Sequence, residues 1–100
     1  LSAGDTLQGR HLPDREFTRR LANPEAPPVA DGDYGRVYRD GHYVWMCCTP
    51  GHHIGDLSAH AVTEFADGTV TVAPSILVHA PGHADQGWHG YLERGRWREC

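Results

Sequence analysis

One hundred residues of 39% hydrophobic content and a formal net charge of -4 describe one small domain. The negative balance argues against phosphate-backbone binding as the main task, so a nucleic-acid partner is not expected. Three cysteines, two of them adjacent, are an odd set that does not suit a secreted disulfide scaffold; free or metal-bound thiols in a reducing compartment are expected.

Taken in order, residues 1 to 12 form a polar arm with Gly4 and Gly9. A short helix follows. Pro13 suits its first turn, Asp14 and Glu16 its positive start, and Arg19 and Arg20 its negative end, before Asn23-Pro24 stops it. Phe17 and Leu21 make one small apolar stripe, too little for the helix to stand alone. Pro24, Pro27 and Pro28 make residues 24 to 33 a semi-rigid linker. Residues 1 to 33 are therefore expected to be an arm, helix and linker outside the core. They would be mobile alone and ordered by a protein partner, because ordering costs roughly 1–2 kcal/mol per residue. Residues 34 to 100 form the β domain.

Strand signals begin at Tyr34. Residues 34 to 39 and 42 to 48 flank Asp40-Gly41, a two-residue hairpin turn, and the second of these strands has no polar face, which makes it central. Residues 60 to 66 and 69 to 73 flank Asp67-Gly68. After Pro74-Ser75 the ladder resumes at 76 to 78, and residues 80 to 87 read as a surface loop. Residues 88 to 92 and 96 to 100 form a last hairpin. The fold class is all-β: a small sandwich or barrel of about six short antiparallel strands, with an N-terminal arm and one short helix. No charged-then-apolar leader and no apolar run near the ~18 residues of a membrane span occur. Neither a membrane nor export through a signal peptide is expected.

The chemistry concentrates at residues 45 to 53, where an apolar strand ends in Cys47-Cys48, turns through Thr49-Pro50-Gly51, and presents His52-His53. Thiolate and imidazole are the side chains zinc prefers, and Cys48 with His52 or His53 has the spacing of half a site. The other half is expected among the late histidines, His79, His83 and His89. The candidate zinc ligands are thus Cys48, one of His52 or His53, His83 and His89, with Cys47 and Cys100 as alternatives. Cys48, His89 and Asp56 could supply a nucleophilic triad, but a triad is a matter of geometry, and no nucleophile-elbow glycine pattern occurs. Arg94, Arg96 and Arg98 beside Trp88, Tyr91 and Trp97 read as an edge hairpin with solvated arginines, neutralised by Glu93 and Glu99.

From Cys48 onward the chain resembles a family of small uncharacterised proteins common in actinobacteriophage and bacterial genomes. The resemblance is carried by the Cys/His turn at 48 to 53, the strand ending in Pro74-Ser75-Ile76-Leu77, and Trp88-His89-Gly90-Tyr91-Leu92. It covers about half the chain. Members of that family look like zinc binders with a cysteine just before the late histidine; Trp88 stands there in this chain, so His83 would have to replace it. The resemblance implies a phage-type protein in the host cytoplasm or the virion, with structural zinc and no established activity. The expectation is a non-enzymatic accessory or protein-interaction module, the alternative a zinc-dependent hydrolase or a regulator of a host enzyme.

Overall fold

The computed structural model describes residues 5–80 and 83–100, with the side chains of 79–86 outside that description. The elements are β1 (Thr6–Gln8), β2 (Arg10–His11), α1 (Glu16–Ala22), β3 (Asp33–Arg39), β4 (His42–Thr49), β5 (His53–Asp56), β6 (Ala61–Glu64), β7 (Val70–Ala80), β8 (His83–Glu93) and β9 (Arg96–Glu99). They build an open sandwich. One sheet has the order β1-β9-β8-β7-β6 and the other β2-β3-β4-β5.

The all-β expectation holds, with nine strands among the described residues rather than about six. Two of the additional strands come from the arm, and β5 comes from the segment after the Cys/His turn. The β2–β3 pair is parallel, against the expected all-antiparallel pairing. Residues 83 to 87, expected as a loop, extend β8 instead. The peptide before Pro74 is cis, and the β7–β8 register shifts there.

Alternation along β3 and β4 explains the layers. Asp40 and Gly41, at φ 52° and 87°, make the tight turn that sets the register Tyr34↔Cys47 and Val37↔Val44. On one face Tyr34 and Cys47 join Leu57 and the inner side chains of the other sheet, among them Val70, Val72, Ile76, Trp88, Leu92 and Trp97. On the opposite face Val37 and Cys48 meet Leu12, Phe17 and Val29. β4 lies between β3 and β5 with a core on each side, as its lack of a polar face predicted.

The separation expected for residues 1 to 33 does not describe this packing. Phe17 is wholly buried beneath α1, and Leu12 and Val29 lie beside it. Of the expected stripe, Leu21 remains half exposed, so Phe17 alone anchors the helix. The arm's strands supply the rest: β1 pairs with β9, and β2 with β3. At the helix start the Arg36 guanidinium donates two hydrogen bonds, of 2.9 and 2.6 Å, to the Asp14 carboxylate.

Candidate metal centre

Two turns meet at one end of the second sheet. The first is the hairpin from β4 to β5. The His52 amide donates to the Thr49 carbonyl at 2.9 Å, and Gly51, at φ 85°, takes the left-handed position that Pro50 cannot. The second turn leads into β3. The Asp33 amide donates to the Ala30 carbonyl at 3.0 Å around Gly32, at φ 90°. This second turn is fastened to its surroundings. The Gly32 amide donates to the Cys48 carbonyl at 2.7 Å, and Trp97 Nε1 donates to the Gly32 carbonyl at 2.9 Å. The buried Asp33 carboxylate accepts from Arg10 Nε and Nη2 at 3.0 and 2.8 Å and from the Ala30 amide at 2.9 Å.

Between the turns, Asp31, Cys48 and His52 converge, with one potential ligand atom from each lying within 4.8 Å of the others. His52 Nδ1 is 3.4 Å from Cys48 Sγ and 2.9 Å from Asp31 Oδ1. The Gly51 amide holds the other carboxylate oxygen at 3.2 Å. Bonds of about 2.3 Å to sulfur and 2.0–2.1 Å to nitrogen and oxygen in a tetrahedron separate S from N by about 3.5 Å and N from O by about 3.3 Å. The two spacings through Nδ1 are close to those of a ligand set, and the sulfur and carboxylate lie within 4.8 Å of each other. Cys48 lies at the bottom and is fully buried, while His52 and Asp31 are exposed.

The same arrangement does not suit a proton relay. A Cys-His-Asp relay uses both ring nitrogens, one for the thiol and one for the carboxylate. Here Nδ1 faces both partners. Burial, reinforced by the charges of Asp31 and Asp33, pushes the Cys48 thiol up to about 12, the opposite of an activated nucleophile. A metal would reverse that by holding the thiolate directly.

Of the expected ligands, Cys48 and His52 come together. His53 does not join them: it pairs across from Thr49, whereas Ile54 pairs with Cys48, so one residue of alternation puts the His53 side chain on the other face. His89 lies exposed on β8 in the other sheet, with Nε2 3.0 Å from Ser75 Oγ. It cannot reach Cys48, whose side chain faces away from that sheet. The side chains of His79 and His83 lie outside the described residues. Cys47 is buried on the inter-sheet face and Cys100 is exposed. Asp31 is the candidate ligand that the sequence spacing does not reveal. The Asp40-Gly41 turn contains the signal for it: counting back along the register sets Asp33 across from Cys48 and brings the turn just before it to the Cys/His loop. The other proposed catalytic group, Asp56, is committed to Arg39 Nη1 at 2.6 Å. Trp88 and Trp97 are buried rather than displayed beside the arginines of the last hairpin.

Compared with family models, curated proteins and solved structures, the chain matches none.

Proposed function

We propose that this protein is a zinc-binding β module of non-enzymatic, accessory or protein-interaction type. The observation that carries the reading is the convergence of a thiol, an imidazole and a carboxylate from two separate turns onto one point. Cysteine, histidine and aspartate all serve zinc, while the thiolate disfavours calcium and magnesium. A metal there clips the entry of β3 to the β4–β5 turn, a useful fastening where one hundred residues bury only a modest core. Asp31 and His52 are exposed, so water or a donor from a bound protein could complete the set. The family resemblance, carried partly by this same turn, supports a phage-type component working in the host cytoplasm or the particle.

A second reading, zinc-dependent hydrolysis, draws on the exposure of Asp31 and His52, since three protein ligands and an open position also describe catalytic zinc. It needs a general base. The nearest carboxylate in sequence, Asp33, is buried and already held by Arg10.

Elemental analysis of the purified protein tests the proposal. One zinc per chain is expected, and cobalt exchanged into the site should give the sulfur-to-metal charge-transfer band of a thiolate ligand. Cys48→Ser and His52→Ala should each lose the metal. Stoichiometric zinc retained in both variants would refute the site.

A further inference from the structure

Residues 31, 32 and 33 are consecutive, and each makes a different attachment. The Asp31 carboxylate accepts from the β4–β5 turn, through the Gly51 amide and His52 Nδ1. The Gly32 carbonyl accepts from Trp97 Nε1 at 2.9 Å and also from the Arg10 amide at 3.2 Å. Asp33 stands across from Arg10 in the parallel β2–β3 pair, and its carboxylate holds the Arg10 guanidinium. One turn thus carries a candidate metal ligand, an acceptor for an indole of the other sheet, and the dock of the N-terminal arm.

Packing repeats the connection. A Cβ on Gly32, at φ 90°, would lie 3.2 Å from Leu7 Cδ2 and 3.5 Å from both Gly9 Cα and Trp97 Cδ1. The turn therefore bears directly on β1 and on the crossing from β1 to β2. The arm has few ties of its own: three register pairs join β1 to β9, and two join β2 to β3. The Arg10 side chain is 56% exposed, so solvent screens its ion pair with Asp33. So short an arm depends on whether its acceptors are already held still. The conformational entropy of residues 31 to 33 is lost only once, on whichever binding event comes first, and the second event proceeds without that cost.

We propose that metal occupancy at Asp31, Cys48 and His52 controls the docking of the N-terminal arm, residues 5 to 11. The metal fixes the turn at 31 to 33, and the fixed turn presents the Gly32 carbonyl and the Asp33 carboxylate to Arg10. This rests on the metal reading and adds its regulation. Coupling between two binding events is reciprocal, so the docked arm raises metal affinity by the factor with which the metal favours docking. Loss of the metal frees β1 and β2 and leaves the edges of β9 and β3 open, which gives the interaction reading a metal-dependent surface.

The test uses the full chain, stripped by a chelator and reloaded with zinc alone, with occupancy established by elemental analysis. Hydrogen exchange at the Gly9 and Arg10 amides and at the Trp97 indole N–H should slow by about tenfold on loading. Zinc affinity, measured by competition with a chromophoric chelator, should fall by about tenfold in Gly9→Ala and in Leu7→Ala, neither of which alters a ligand. Gly9→Ala sets a methyl group against the Gly32 carbonyl oxygen, and Leu7→Ala is the milder change, which decides the matter if the first variant does not fold. Val62→Ala, on the edge strand at the opposite side of the first sheet, should keep the parent's affinity. Stoichiometric zinc with unchanged exchange in the arm, or with the parent's affinity in Leu7→Ala, overturns the coupling and leaves the site standing. An equal loss of affinity in Val62→Ala would mark general destabilisation and also overturn it. A parent chain that holds no zinc removes the site and the coupling together.

Discussion

Phe17→Ala tests whether the N-terminal segment belongs to the fold. Phe17 is fully buried, and its neighbours Leu12, Val29, Val37 and Cys48 form a core separate from the one between the sheets. Removing a buried Phe side chain costs about 3–5 kcal/mol. The seven-residue helix has no other buried side chain to hold it, and so short a helix does not persist by itself. The loss therefore lies toward the upper end of that range. Against a domain stability of about 5–15 kcal/mol, it removes a third or more, and at 4–8 °C per kcal/mol Tm falls by at least about 12 °C. Urea unfolding measured by fluorescence and circular dichroism gives the free energy. A thiol reagent gives an independent reading, since loss of the helix uncovers Cys48 and native-state labelling accelerates. Leu21→Ala, at a half-exposed position, should change stability by less than about 0.5 kcal/mol. A Phe17→Ala variant within about 1 kcal/mol of the parent, with Cys48 still protected, would show that the helix is an appendage and refute the argument.

Asp31→Asn should abolish stoichiometric zinc, whereas His53→Ala and His89→Ala should retain it; elemental analysis of the three distinguishes the converging set from the other histidines. Asp56 is held down to about 2 by the Arg39 guanidinium and the Ser58 amide, against 3.8 when unperturbed. A depressed carboxylate stabilises above its unfolded value and loses that contribution as pH falls through its folded value. Asp56→Asn should therefore cost about 1 kcal/mol at pH 7, discounted for the exposure of the pair, and less than half of that near pH 2, where the folded carboxylate is half protonated. An identical difference in urea midpoint at both pH values would contradict this. Gly90→Ala puts a methyl group against the Arg98 carbonyl oxygen and the Trp88 ring, and a loss of about 1–3 kcal/mol in urea unfolding is expected.

Local signals made much of the β region legible. Asp40-Gly41 sets a two-residue hairpin turn, because such turns tolerate few sequences; the hairpin marked by Asp67-Gly68 also forms, but closes through the three residues 66 to 68, with the Phe65 amide donating to the Thr69 carbonyl. The arm's strands are not legible, for a physical reason. Two- and three-residue strands carry too few positions for alternation to appear, and β1 and β2 are strands only because β9 and β3 offer them edges. A short apolar stripe does not tell that one phenylalanine in a closed pocket suffices to dock the helix. At the site, Cys48 and His52 were legible because a single turn joins them. His53 and His89 failed on side-chain direction, a property of sheet faces rather than of spacing. Asp31 belongs to a distant turn, and its place depends on a register that could be counted but not recognised as a ligand pattern.

The pairing of the first strand with the last imposes an order on biosynthesis. Gln8 Nε2 and the Gly9 amide both reach the Gly95 carbonyl, and Gln8 lies 87 residues before Gly95. Between β1 and β2 the chain crosses from one sheet to the other at Gly9, where a Cβ would strike the carbonyls of Gly95 and Gly32 and the Tyr34 ring. On the ribosome the first strand emerges early and then waits. At about 5–20 residues per second, roughly 4 to 17 s pass before its partner is even synthesised. The early β3–β4 hairpin can close in microseconds, but the seal between the two ends cannot form until β9 has cleared the exit tunnel. The nascent chain thus spends seconds with β1 unattached, and that interval is when a chaperone would find it.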